Sequence, residues 1–213
     1  MAIHEKSLQI CASAIWRRLV VATSLTDTRT GYGLVSRTLH WGMALLFVWQ
    51  FTTVFLSAVA EDTAVERFFW GTHYSVGFTL WALVLARGAW GLSQIRHRPR
   101  HEGPRLLARA ATLGHLALYV LMVVVPSLAI LRAANNGRGF SVYGNQLVAP
   151  GGAANPSLTA PANLLHGFLG WTLFALIAGH IAMALWHGLV RRDATLRHMT
   201  RGPQRGPRSL RSF

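Results

Sequence analysis

Residues 165–180 read LHGFLGWTLFALIAGH, an apolar stretch with one histidine near its start and another at its end. An imidazole in such surroundings is costly, and it persists where it ligates a metal, carries a proton or binds a ligand. If the stretch is helical, fourteen residues at about 1.5 Å and 100° each put His166 and His180 roughly 21 Å apart along the axis and about 40° apart around it. The two side chains then share one face at two depths, a geometry for holding two separate groups. A zinc-binding helix would space its histidines at i and i+4 instead. Four more histidines, His40, His73, His115 and His187, lie in or at the ends of apolar stretches. Any one of them alone is most simply a packing residue; as a set they point to a site.

An internal echo narrows the chemistry. HYSVGFTLW at 73–81 and HGFLGWTLF at 166–174 both follow the pattern H-x-x-x-G-aromatic-T-L-aromatic. On helices entering the membrane from the same side, His73 and His166 lie level, and Gly77 and Gly170 sit one turn further along the same faces. A glycine there removes the side chain that would strike a flat macrocycle held by the imidazole, although close helix packing in membranes also favours glycine. Two facing imidazoles in a bundle core are suited to be the axial ligands of one haem. No Asp or Glu lies within these stretches, which counts against a haem-free transporter or proton relay. Most non-haem metals would want oxygen or thiolate donors. A second haem would use His180. Its partner is open between His40 and His115, and depth counted from the flanking arginines slightly favours His115.

The elements that must position these side chains follow from composition. The 213-residue chain is 52% hydrophobic and 13% charged, with a mean hydropathy of +0.32. Four apolar runs, about 39–59, 72–92, 106–131 and 162–190, each reach the ~20 residues that a helix needs to cross a bilayer. The expected fold is all-α: a four-helix transmembrane bundle, with Pro126 kinking the third span. The net charge of +14 raises nucleic acid as a partner, but the arginines are segmented rather than gathered on one face. They crowd the stretch before the first span, the link between the second and third, and the region after the fourth, whereas the other two links are nearly bare. The reading is therefore no nucleic acid, a lipid bilayer as partner, and both termini cytoplasmic.

Residues 1–30 are expected to be a cytoplasmic leader, with an interfacial helix over 7–22 or a flexible segment as the two options, and 201–213 a basic cytoplasmic tail. Cys11 is the sole cysteine, so no intrachain disulfide forms, and without a C-x-x-C-H motif no haem is attached covalently. The link 132–161, rich in Gly, Asn and Pro, is too polar to span. It is a candidate lid over a haem, with Arg132, Arg138 and Arg67 forming a local positive field that would draw small anions; a solvated connector is the simpler alternative.

RTLHWGMALLFVW at 37–49, GTHYSVG at 71–77, LGHLALYVLMVVVP at 113–126 and the pair His166 and His180 together resemble the bacterial cytochrome b561 family of di-haem, four-helix membrane proteins, across about residues 31–200. The resemblance implies the bacterial inner membrane, two haem b groups, His40 with His180 on the cytoplasmic-side iron and His73 with His166 on the periplasmic-side iron. The second pairing agrees with the echo, while the first replaces the depth preference for His115. It further implies single-electron transfer between a periplasmic donor, superoxide among the candidates, and a membrane quinone, with His187 and Arg37 as candidate quinone or propionate contacts and His115 as a packing or secondary residue. A different role within reach is that of a membrane anchor and electron conduit for a dehydrogenase or another redox partner protein.

Overall fold

A computed structural model describes residues 24–99 and 104–203. The expected interfacial helix over 7–22 and most of the basic tail lie outside the described residues. Four long helices dominate: α1 (Leu34–Val59), α2 (Ala64–Ser93), α3 (Arg105–Ala134) and α4 (Pro156–Trp186). A π-helical turn (His187–Arg191) continues α4, and a short helix α5 (Thr195–Thr200) follows. All four long helices are long and apolar enough to cross a membrane.

The helices run further than the apolar runs alone suggest. Helix α2 begins at Ala64, not near 72, and α4 begins at Pro156, not near 162. Glu66 in the first turn of α2 complements the positive end of the helix. Proline is well tolerated as the first helical residue, where its missing N–H costs nothing, so Pro156 starts α4. Arg132 stands in the last turn of α3, where a cation meets the negative end.

The described residues fall into two compact units. One takes in the described parts of Met1–Leu39, Trp90–Glu102 and Met183–Phe213, and the other His40–Ala89 and Gly103–Ala182. The second unit holds the bundle. Its buried core comes from one face of every long helix: Met43 of α1, Val76, Leu80 and Val84 of α2, Leu118 and Met122 of α3, and Leu173 of α4. The i, i+4, i+8 spacing on α2 is the signature of a single helix face. Large side chains elsewhere on the helices, Leu45, Val48, Leu116 and Phe168 among them, are exposed and suit contact with lipid. Lipid tails are as apolar as these residues, so close packing and cross-helix hydrogen bonds hold the bundle together. Trp49 Nε1 donates to Thr72 Oγ1 (2.8 Å) and ties α1 to α2, and Trp81 Nε1 donates to Ser127 Oγ (3.1 Å) and ties α2 to α3.

The α3–α4 link, expected as a lid or a solvated connector, contains a short hairpin. Strands β1 (Phe140–Val142) and β2 (Asn145–Val148) pair antiparallel. Tyr143 and Gly144 between them have φ of 49° and 79°, as a two-residue turn matched to strand twist requires. The Tyr143 amide donates to Ser75 Oγ (3.0 Å) and its hydroxyl meets Thr79 Oγ1 (2.9 Å), which pins the hairpin to α2. Phe140 packs against Tyr74 and Phe78.

In the other unit, buried Asp27 accepts from the Gly33 amide (2.9 Å) just before α1 and lies 3.9 Å from the Arg98 guanidinium. Trp90 Nε1 donates to Ser36 Oγ at 2.9 Å. Arg37 donates to the Thr200 carbonyl (2.6 Å) at the end of α5, the usual service of a cation at a helix C-terminus.

Candidate functional site

Within the bundle unit the histidines gather at two places. The His73 and His166 ring centres are 6.3 Å apart. Those of His40 and His180 are 6.2 Å apart, and His115 approaches His180 to 5.3 Å. His166 and His180 both belong to α4, and the buried Leu173 lies midway between them in sequence.

Hydrogen bonding defines which ring nitrogens are available. Thr53, fully buried in α1, donates its single hydroxyl proton to the Gln50 carbonyl (2.7 Å), so toward His73 Nδ1, also at 2.7 Å, its oxygen accepts. With the Thr53 proton on that carbonyl, the tautomer that suits the contact carries its proton on Nδ1 and a lone pair on Nε2. His166 Nδ1 faces the Val125 carbonyl at 2.9 Å; a carbonyl only accepts, so this ring too has its proton on Nδ1. Fixing one ring nitrogen by a hydrogen bond is the usual way a ligating histidine is oriented and its other nitrogen made basic. The Gln50 amide nitrogen lies 3.2 Å from both His73 ring nitrogens and 3.1 Å from the His73 carbonyl, which it serves as a donor. His40 Nδ1 is buried with no hydrogen-bond partner among the described residues. His115 Nδ1 donates back to Ala111 of its own helix (2.7 Å).

A cavity opens beside the 73/166 pair. Phe51, Trp70, Gly77, Gly170, Trp171 and Arg132 are among its walls, along with both histidines. At Gly170 an added Cβ would meet nothing within 4 Å, whereas at Gly77 it would stand 3.2 Å from the Gln50 amide nitrogen. Gly77 therefore makes room for Gln50 as well as for whatever fills the cavity. At the cavity wall Arg132 donates to the Tyr74 hydroxyl (2.5 Å) and to Asn163 Oδ1 (2.6 Å), and its guanidinium carbon lies 5.8 Å above the Tyr74 ring.

The model of the prokaryotic cytochrome b561 family matches residues 31–202. The chain belongs to that family. It is 29% identical over 184 residues to cytochrome b561 homolog 2 of Escherichia coli (strain K12), a match covering 83% of this chain and 94% of that protein. It is 30% identical over 133 residues to cytochrome b561 homolog 1 of the same organism, covering 60% and 72%. A third relative, the probable superoxide oxidase CybB of Yersinia pestis, is 24% identical over 172 residues, covering 79% and 94%. Membership makes the chain a membrane b-type cytochrome of electron transfer.

The residues present fit the family's cofactor. Metal–imidazole bonds of about 2 Å, with roughly 1 Å more from each nitrogen to its ring centre, put two imidazoles that clamp one iron about 6 Å apart, centre to centre. The 73/166 and 40/180 separations match that figure, and the 115/180 separation is shorter. Among the described residues no group of three or more His, Cys, Asp or Glu is set to hold a bare metal ion. Paired imidazoles among aromatics are a haem donor set.

Several residues at these sites were not evident in the sequence. Gln50 and Thr53 are ordinary small polar residues of an apolar helix until the fold sets them against His73. Arg87, a cation in the second apolar run, lies within electrostatic reach of both His40 and His180. Its place inside a span was the available signal. The candidate quinone residues Arg37 and His187 both belong to the other unit. Arg37 caps α5, and His187 Nδ1 is 2.5 Å from Asp193 Oδ2. Burial works to raise the Asp193 carboxyl, but hydrogen bonds from the His187 side chain and from Thr195 outweigh it and hold the group at about 2.

Proposed function

We propose that the chain holds two haem b groups at two depths, one ligated by His73 and His166 and the other by His40 and His180, and that it passes single electrons between a donor at the periplasmic face and a membrane quinone. The observation that carries this reading is the repetition of one geometry: two imidazole pairs, each about 6 Å apart, sharing α4. Residues 31–200 are the functional unit in the inner membrane, with both termini cytoplasmic. Haem b, when bound, supplies reversible one-electron chemistry.

The protein's own groups do the rest. Thr53 and the Val125 carbonyl hold two of the rings in one tautomer and orientation. Phe51, Phe55, Trp171 and Phe174, in mutual contact, keep water away from the 73/166 site. Arg132, at the cavity wall, attracts a small anionic donor, and superoxide is the donor this reading favours because a relative carries the name of a superoxide oxidase. His187, kept with Nδ1 toward Asp193, offers Nε2 to a quinone oxygen. His115, exposed and bonded to its own helix, packs beside His180 without ligating.

The test is spectral quantification of haem per chain in the wild type and in His40→Leu, His73→Leu, His115→Leu, His166→Leu and His180→Leu. Two haems in the wild type and in His115→Leu, with one lost in each of the other four, is the expected result. Loss of a haem in His115→Leu with both kept in His40→Leu would transfer the 180 partnership to His115. A purified partner protein that is required for any turnover with superoxide or quinone would favour the anchor-and-conduit role instead.

A further inference from the structure

Each histidine pair is accompanied by an arginine lying over a tyrosine ring, a repetition that the ligand assignment does not require. Arg132 lies 5.8 Å above the Tyr74 ring beside the 73/166 pair. Arg87 of α2 lies 5.8 Å above the Tyr119 ring. Tyr119 stands one helical turn after His115 on α3, and the His115 ring is 5.3 Å from that of His180. Arg87 is half-buried within a candidate span. An arginine at membrane depth is costly, and its position marks a candidate functional residue whatever else it contacts.

Haem b carries two carboxylate side arms, and guanidinium is the side chain whose fork matches a carboxylate. A fixed positive charge also favours the state of a nearby redox centre that holds one more electron. A tyrosine face at this distance attracts the guanidinium without neutralising it.

We propose that Arg87 is the positioning residue of the 40/180 haem: its guanidinium receives a carboxylate arm of that haem and holds the reduction potential of that site up. The assignment rests on the two-haem reading above.

Redox titration of the purified holoprotein, followed by visible spectra, tests the proposal in the wild type, Arg87→Gln and Arg87→Lys. The component missing in His40→Leu identifies the 40/180 haem. Arg87→Gln is expected to lower the midpoint of that component by a tenfold change in its equilibrium or more, 59 mV for one electron, and to leave the other component in place. Arg87→Lys should recover most of the shift. Reconstitution with haem dimethyl ester gives a second readout: esterification should weaken binding at the 40/180 site of the wild type and add nothing in Arg87→Gln. Unchanged midpoints with both haems present, equal shifts of both components, or an esterification penalty that persists in Arg87→Gln would each overturn the assignment while leaving the two-haem reading intact. A wild-type preparation without two haem components would overturn the two together.

Discussion

Gly170→Ala separates what a helix wants from what a macrocycle needs. Gly170 lies inside α4, one turn beyond His166, and a Cβ built there meets nothing within 4 Å. In the haem-free protein the substitution should therefore cause no clash, and replacing an interior helical glycine by alanine is worth roughly 0.5–1 kcal/mol of stability. If the proposed haem occupies the cavity beside His166, the same methyl group would crowd it, and overfilling a packed site typically costs about 1–3 kcal/mol. At 1.4 kcal/mol per tenfold, haem affinity at the 73/166 site should fall by about 5- to 150-fold. Thermal unfolding of haem-free protein in detergent reads the first effect, and haem titration followed at the Soret band reads the second. Gly71→Ala is the control, because Gly71 of α2 is equally open and is absent from the cavity wall. It should share the gain in stability and keep full affinity. If Gly170→Ala binds two haems as tightly as the wild type, with unaltered spectra, then the open space beside Gly170 is not haem clearance and the placement of the ring is wrong.

Other outcomes follow from the same contacts. Thr53→Val preserves shape and leaves the His73 Nδ1–H without its acceptor, so haem affinity at the 73/166 site should fall about 10- to 100-fold and recover in Thr53→Ser, both measured by haem titration. Met43, 1% exposed at the centre of the bundle, should destabilise the fold by about 2 kcal/mol when cut to alanine, near the low end for core truncation because lipid offers its own apolar contacts; reversible unfolding in mixed micelles measures this. Asp193 should titrate near pH 2 and not at the usual 3.8, as carbon NMR of labelled aspartate would show. Because its folded value is depressed, the contribution it makes to the 187–200 segment is present above pH 3.8 and disappears as the pH falls through about 2. Exposure and salt keep that contribution small.

Legibility varied with how local the signal was. The four helices could be read from their apolar runs, and the nearness of His73 to His166, whose ring centres are 6.3 Å apart, from the echo between two spans. The neighbours of His180 could not, because both His40 and His115 reach it and sequence depth does not resolve differences of a few ångströms on tilted helices. Gln50 and Thr53 were invisible for another reason: their role comes from α1 and α2 meeting at one rotation, which no single-helix pattern encodes. The hairpin over 140–148 was hidden by its glycine-rich frame, though FSV and NQLV flanking Tyr-Gly carry a short strand–turn–strand pattern. Arg87 is one arginine among many, and its position inside an apolar run, not its type, sets it apart.

The fourteen-residue step from His166 to His180 sets the gauge of the bundle. Deleting or inserting one residue between them would swing one imidazole by about 100° relative to the other, and no adjustment in α1, α2 or α3 alone could follow both. The π-helical turn sits just past this interval, from His187 to Arg191, and such turns are places where a helix accommodates an extra residue. Slack in α4 is thus located downstream of the second histidine, so changes in helix length beyond 186 should leave the two imidazole levels in register, whereas changes between 166 and 180 should break it.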